Sequence, residues 1–277
     1  MKYEAIPVKT RYIKPNEGFE VIIRRAGPLL KNNDFLVISE TPIAIAQGRI
    51  YDILKYKPSL SAIFLAEIWS KFLWGYFLGP IFRIKSRTIK NLRKLPPEAR
   101  NLKEFILRHY GWLHALKPSS EAGVDLSNVP DTYVAPLPKN PKNIAKYISK
   151  EILERWNKKV TVVIVDTDAT YKVFGKLITS LPIAVRGIKS NLGFLAYLLG
   201  RFGKKIGPTP IASSKELPVT KLIKISKIAE KIQEKFNTFE TVYDMEEFFG
   251  RENVDIKMLN TIKHVPAIII RKVNERC

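Results

Sequence analysis

The sequence predicts an α+β fold in which mixed or antiparallel sheets pack against helices. Three observations carry this reading. Apolar strand-like runs and amphipathic helices are interspersed along the whole chain. One run, VTVVIV (160–165), is apolar and β-branched throughout and reads as a strand buried on both faces. The segments also lack the regular strand–helix alternation of a doubly wound sheet. With 277 residues, 45% of them apolar, the chain is long enough to bury a full core. It reads as one unit over 1–277, and any subdomain break falls near 95–120.

Taken in order, KYEAIPV (2–8) is a first strand, and GFEVIIRRA (18–26) leads into a turn at Gly27-Pro28. DFLVIS (34–39) and IAIAQGRI (43–50) read as two strands joined across Glu40-Thr41-Pro42. The apolar stretch Leu60 to Phe82 predicts a helix. Glu67 and Lys71 fall four residues apart on one of its faces, and Gly79-Pro80 kinks or ends it. A membrane span wants about 20 nearly uncharged residues. No transmembrane span and a cytoplasmic location are therefore expected, with this helix buried or at a subunit interface and, as the alternative, lying on a membrane surface. MKYEAIPVKTR has no secretory apolar core.

A basic, proline-containing linker follows, through Pro96 and Pro97, and 101–130 shows few periodic signals. Irregular stretches of that kind inside compact domains are often functional. In LPKNPKNIAKYISKEILERW, Asn140 is placed to cap and Pro141 to open a helix. Ile144, Ile148 and Ile152 recur along one face of it. The strand at 160–165 then ends in Asp166-Thr167-Asp168. Strands at 183–185 and 266–271 and a helix from about Val219 to Phe236 complete the elements.

Cys277 is the lone cysteine, which excludes an internal disulfide and a cysteine zinc site. His109, His114 and His264 make no metal-ligand spacing. The formal net charge is +21, and RIKSRTIKNLRK (83–94) holds six basic residues and no acid. Such a balance attracts polyanions: nucleic acid, anionic lipid or phosphorylated metabolites. Helix-turn-helix, RNA-recognition and zinc signatures are absent from the sequence, so nucleic acid is the less favoured partner. There is also no Walker A or dinucleotide fingerprint. Gly193, Gly200, Gly203 and Gly207, near Arg201, Lys204 and Lys205, read as a surface loop rather than a phosphate cradle.

Two places concentrate chemistry. EAGVDLSNVP (121–130) packs turn formers and oxygen donors together, and VDTDAT (165–170) sets carboxylates just past a buried strand. Magnesium prefers carboxylate, hydroxyl and water oxygens and needs only one or two protein carboxylates. Capping of turns is the plainer explanation of the same residues.

EAGVDLSNVP resembles the Ala-Gly-Val-Asp-x-Ser-Asn-Val signature of the coenzyme F-420 gamma-glutamyl ligases, in a divergent, archaeal-type form. In the same order, NNDFLVISETPIAIAQGRI, LPKNPKNIAKYI, VTVVIVDT, LPIAVRGI and VPAIIIRKV are similar to that family's other blocks. The resemblance implies two intertwined subdomains, a homodimer, GTP as co-substrate, and magnesium or manganese. It also implies small acidic substrates, L-glutamate and a phosphorylated coenzyme precursor, joined through an acyl phosphate. By position, Asp125, Asp166 and Thr167 are the expected metal ligands, with Glu216 of SSKEL as a further carboxylate. Gly48, Arg49, Ser127, Asn128, Asp168, Lys172, Lys176 and Lys204 are the expected nucleotide or substrate contacts.

The sequence departs from the family in three blocks. The family's two lysines are missing from ETPIAIAQGR, Asp168-Ala169-Thr170-Tyr171-Lys172 replaces its Phe-Gly-Arg-Pro-Trp, and YGWLHALKPSSE (110–121) replaces its His-Gly-Phe block. Arg186 joins the lysines above as a substitute cation. The alternative is a protein that keeps this fold but binds nucleic acid or another polyanion.

Overall fold

The computed structural model describes residues 2–236, 239, 242–250 and 254–273. Cys277 lies outside the described residues. The centre is a six-stranded mixed sheet. Strands β1 (Lys2–Thr10), β8 (His264–Val273), β2 (Phe35–Ser39), β5 (Thr161–Val173) and β6 (Lys176–Thr179) lie in that order, and β7 (Lys204–Ser213) pairs with β5. Among the described strands of this sheet, β2 and β5 are the parallel pair, with Phe35 opposite Thr161 and Ser39 opposite Val165. The other pairings in this sheet are antiparallel. A small second sheet joins β3 (Tyr51–Asp52) to β4 (Tyr133–Val134).

Alternation along the central strands sends side chains to two cores. Leu36, Ile38, Val162 and Ile164 pack with Ile22 and Ile23 of helix α1 (Glu20–Ala26) and with Ile144, Ile148 and Ile152 of α8 (Pro141–Trp156). On the other face, Val37, Val163, Ile268 and Ile270 pack against Leu222, Ile225 and Ala229 of α10 (Val219–Gln233). This two-sided burial explains why 160–165 carries no polar alternation. The architecture is the mixed-sheet α+β arrangement that the interspersed signals predict.

Three readings of the sequence are corrected. Residues 43–50 are not a strand: α2 (Glu40–Ala46) begins at the end of β2, and Glu40, Thr41, Ile43, Ala44, Ile45 and Ala46 are all buried. A helix buried all round shows no apolar period, and Pro42 is tolerated in its first turn, where backbone N–H groups have no helical partner anyway. Residues 183–185 are irregular, although Val185 N–H donates to Pro210 O. Segment 101–130 opens with a regular helix, α6 (Ala99–Tyr110), followed by α7 (Trp112–Ala115). The basic run 83–94 contains α5 (Ser86–Arg93), as its reading as loop and helix face implies.

The glycine-rich segment 193–207 forms α9 (Gly193–Leu199) and the start of β7. Pro208 and Pro210 sit within β7, which pairs only with β5. An edge strand tolerates the missing donors.

The apolar stretch forms one continuous helical run: α3 (Leu60–Ile63), a π-helical stretch (Phe64–Leu78) and α4 (Gly79–Ile81). Among the described residues, no helix is long and apolar enough to cross a membrane.

Candidate functional site

Parallel strands with a register fixed at Ser39–Val165 deliver their next residues to the same place. Those residues are Glu40 and Asp166. Open sheets bind ligands beyond the carboxyl ends of parallel strands, and a cleft of about 490 Å³ opens here. Glu40, Thr41, Asp125, Ser127, Asn128, Asp166, Thr167 and Asp168 all line it.

Local backbone geometry turns these groups inward. β5 and β7 are in register at Asp166–Thr209 and again at Ala169–Pro208, so Thr167 and Asp168 bulge out of the ladder. Bulges re-aim side chains beside functional sites. The bulge is pinned by Thr209, whose hydroxyl donates to Asp168 O at 2.6 Å and contacts the buried hydroxyls of Thr170 and Thr179. On the facing loop, Ser120, Ala122 and Gly123 all have positive φ. A Cβ on Gly123 would stand 2.6 Å from Asp166 Oδ2, so this approach requires glycine.

The carboxylates are buried and differently satisfied. Asp125 Oδ1 accepts from Ser127 N–H at 2.9 Å and from the Ser127 hydroxyl at 2.8 Å. The Thr41 hydroxyl stands 2.9 Å from Asp125 Oδ2 and 3.0 Å from Glu40 Oε1. With one proton to give, Thr41 satisfies both neighbours only when one of the two carboxyls is itself protonated. Asp166 Oδ1 accepts from Asp168 N–H at 2.6 Å. Asp166 Oδ2 and Glu40 Oε2 are buried with no hydrogen-bond partner.

The electrostatics follow from that crowding. Burial, then the Asp168 carboxylate, pushes the Asp166 carboxyl up to about 8. Burial, then Asp166 and Asp125, drives Glu40 well above the usual carboxyl range, and burial raises Asp125. Buried carboxyls without partners are costly unless a proton or cation satisfies them. The donor set therefore fits a hard divalent cation.

Among the described residues, no group of three or more His, Cys, Asp or Glu side chains forms a ready metal cage. Magnesium does not need one, because it uses one or two carboxylates and fills its shell with water and phosphate oxygens.

One cation stands behind the wall, at a smaller cavity shared with Ser120 and Asp168. Lys117, 4% exposed, reaches Asp168 Oδ2 at 2.6 Å, Ser120 O at 2.5 Å and the Ser180 hydroxyl at 3.2 Å. Burial opposes its charge, but Asp168, Asp166 and Glu121 outweigh that and raise its pKa. A second buried lysine, Lys103, pairs with Glu121 at 2.6 Å and donates to Ala115 O and Lys117 O. Together they hold the irregular 115–121 segment against the site. Lys85 and Lys205 reach the cleft from outside.

Of the residues expected from the sequence, the cleft gathers Asp125, Asp166, Thr167, Ser127, Asn128 and Asp168. Glu216 is not brought there: it is exposed and pairs with Lys142 at 3.7 Å. Gly48 and Arg49 lie outside the lining, with Arg49 donating to Leu137 O. Lys172, Lys176 and Lys204 are exposed together at the β5–β6–β7 end, where Lys172 faces Lys204. Arg186 is also outside the lining.

Sequence reasoning missed Glu40 and Lys117. Glu40 had the same signal as Asp166, an acid immediately after a buried apolar run. Lys117 sits in the divergent 110–121 block and had no local signal.

The fold and site define a mixed-sheet protein with a cleft of buried carboxyls and nearby lysines beyond its parallel strand pair. Residues 7–271 match the family model described as F420-0:Gamma-glutamyl ligase, and the chain belongs to that family. It is 38% identical to an uncharacterized protein of Methanocaldococcus jannaschii, over 96% of both chains. It is 29% identical to the coenzyme F420:L-glutamate ligase of the same organism, over 78% of this chain and 79% of that one. It is 24% identical to the coenzyme F420:L-glutamate ligase of Methanopyrus kandleri, over 68% and 67%.

Proposed function

We propose that the chain is a magnesium- or manganese-dependent ligase that uses a nucleoside triphosphate, GTP in the first instance, to join an amino acid to a carboxylate acceptor. The carrying observation is a pair of acids that line one cleft, Asp166 and Glu40, each with one buried carboxyl oxygen that has no hydrogen-bond partner. Asp166 and Asp125 would hold the metal, with the Thr167 hydroxyl and Glu40 beside them. A bound divalent ion would neutralise phosphate charge and draw the reacting oxygens into line. Lys85 and Lys205, which line the cleft, would meet the outer phosphates, and Lys117 pairs with the Asp168 carboxylate at the bulge.

In the reaction, an acceptor carboxylate oxygen attacks the terminal phosphorus and the nucleoside diphosphate leaves. The amine of glutamate then attacks the acyl carbon, inorganic phosphate leaves and the amine gives up a proton. One organism carries both a named ligase and an uncharacterized relative, and this chain shares more identity with the latter. That supports an acceptor different from the named one, contacted by the altered 110–121 and 168–172 segments. Incubating the protein with GTP, manganese, glutamate and a panel of phosphorylated carboxylate acceptors tests this. Mass spectrometry should find a glutamyl adduct and matched phosphate release; release of phosphate without any adduct would count against a ligase.

A second reading, a polyanion-binding protein on this fold, has its own observation. At the β5–β6 turn, Phe174 is 91% exposed among Lys172, Lys176 and Lys204, and lysines interleaved with aromatics suit single-stranded nucleic acid. Tight RNA or DNA binding that falls steeply with salt would favour it.

A further inference from the structure

Between residues 60 and 81, every exposed side chain is apolar or aromatic: Leu60, Phe64, Ile68, Phe72, the Tyr76–Phe77 pair, Pro80 and Ile81. Leu60 is 86% exposed and Ile81 71%. The opposite face is already used, since Leu65 and Trp74 are fully buried against α6, α5 and α9. The outer stripe is therefore not a leftover of core packing.

The helix geometry keeps that stripe straight. The exposed residues recur about every four positions. In an α-helix of about 3.6 residues per turn, a four-residue step drifts by about 40°. The wider i→i+5 turn of the Phe64–Leu78 stretch offsets the drift and holds the row on one side. Contiguous exposed apolar surface of this kind marks a docking site.

Charge identifies the occupant. Lys55 and Lys57 precede the stripe, and Arg83, Lys85, Lys90, Arg93 and Lys94 follow it, all exposed. Arg93 lies over the Tyr76 ring at 4.7 Å, so the basic flank touches the stripe itself. A second copy laid along this face, parallel or antiparallel, would bring basic ends together on chains of net charge +21. Nucleic acid would meet cations at the ends of the stripe but an apolar row between them. An anionic bilayer surface complements both features, taking the apolar side chains among its acyl chains and the lysines and arginines at its headgroups.

We propose that residues 60–81, with the basic segment 83–94, dock the protein in the plane of an anionic membrane surface without crossing it. The cleft-lining Lys85 is four residues beyond Ile81, so docking holds the cleft mouth near the lipid headgroups.

Full-length protein is sedimented with phosphatidylcholine vesicles, with and without phosphatidylglycerol. Binding is expected only with phosphatidylglycerol, declining as salt rises. The double substitution Phe72→Ser/Phe77→Ser should lower partitioning about tenfold, as loss of two half-exposed aromatic anchors implies. Lys90→Glu/Lys94→Glu should lower it as well. Both pairs are exposed, so an unchanged circular dichroism spectrum is expected and confirms that the fold is intact. No binding to phosphatidylglycerol vesicles, equal binding to neutral ones, or binding that survives both pairs of substitutions overturns the proposal. So does a dimer in sedimentation equilibrium that Phe72→Ser/Phe77→Ser dissociates while vesicles are ignored.

Discussion

Glu40 and Asp166 each follow the last registered pair, Ser39 and Val165, of the parallel strands β2 and β5, and each keeps one buried carboxylate oxygen without a partner. Strand register therefore brings together two acids 126 positions apart in the sequence.

Glu40→Gln should weaken manganese binding between about 10- and 100-fold, the range found for groups that support a metal centre. It should raise the melting temperature of the metal-free protein only at alkaline pH, where Glu40 would otherwise give up its proton and repel Asp166 and Asp125. Calorimetric metal titration and thermal unfolding check the two effects.

The metal-free protein should lose stability as pH rises between about 4 and about 8. Asp166 has a folded-state pKa of about 8 against an ordinary value of 3.8, so across this window the fold keeps a proton that the unfolded chain has released. Stability from that group is present at the low end and lost toward pH 8. Asp166→Asn should flatten this part of the profile, and added magnesium should restore stability at the high end. Melting temperatures of the two proteins across pH, with and without metal, provide the comparison.

The strand ends that make this site were legible from the apolar runs 34–39 and 160–165, and Asp166 from its place after the second; Glu40, after the first, was read only as part of a strand connection. Helix α8 was legible from the Ile144–Ile148–Ile152 spacing. Helix α2 was not, because burial on all sides removes the apolar period that separates helix from strand. Glu216 was misplaced because likeness to a motif does not fix how a loop runs, and here the loop puts that carboxylate beside Lys142. Lys117 owes its role to tertiary packing alone, where Asp168, Ser120 and Ser180 converge on it.

Lys117→Met should destabilise the protein by about 3 kcal/mol, since it leaves Asp168 facing a wall built for a cation. Adding Asp168→Asn should recover part of the loss, because the two groups form one buried pair. Urea denaturation of the two single mutants and the double mutant measures the coupling; strict additivity would contradict it.

Gly123→Ala should abolish metal-dependent nucleotide binding, because its new Cβ collides with Asp166 Oδ2 and strains a φ of 70°. Gly175→Ala, at φ 77° in open space, imposes similar backbone strain with nothing to strike, and should leave binding intact. Comparing the two separates displacement of the carboxylate from loss of a turn.

The most direct test of the proposed chemistry is a calorimetric titration of GTP and of ATP into the folded protein, with and without manganese. The account predicts that at least one nucleotide binds only when manganese is present, and that Asp166→Asn, which keeps the side chain's size but removes its charge, abolishes that binding. Nucleotide binding of equal strength without metal, or binding that survives Asp166→Asn unchanged, would contradict it.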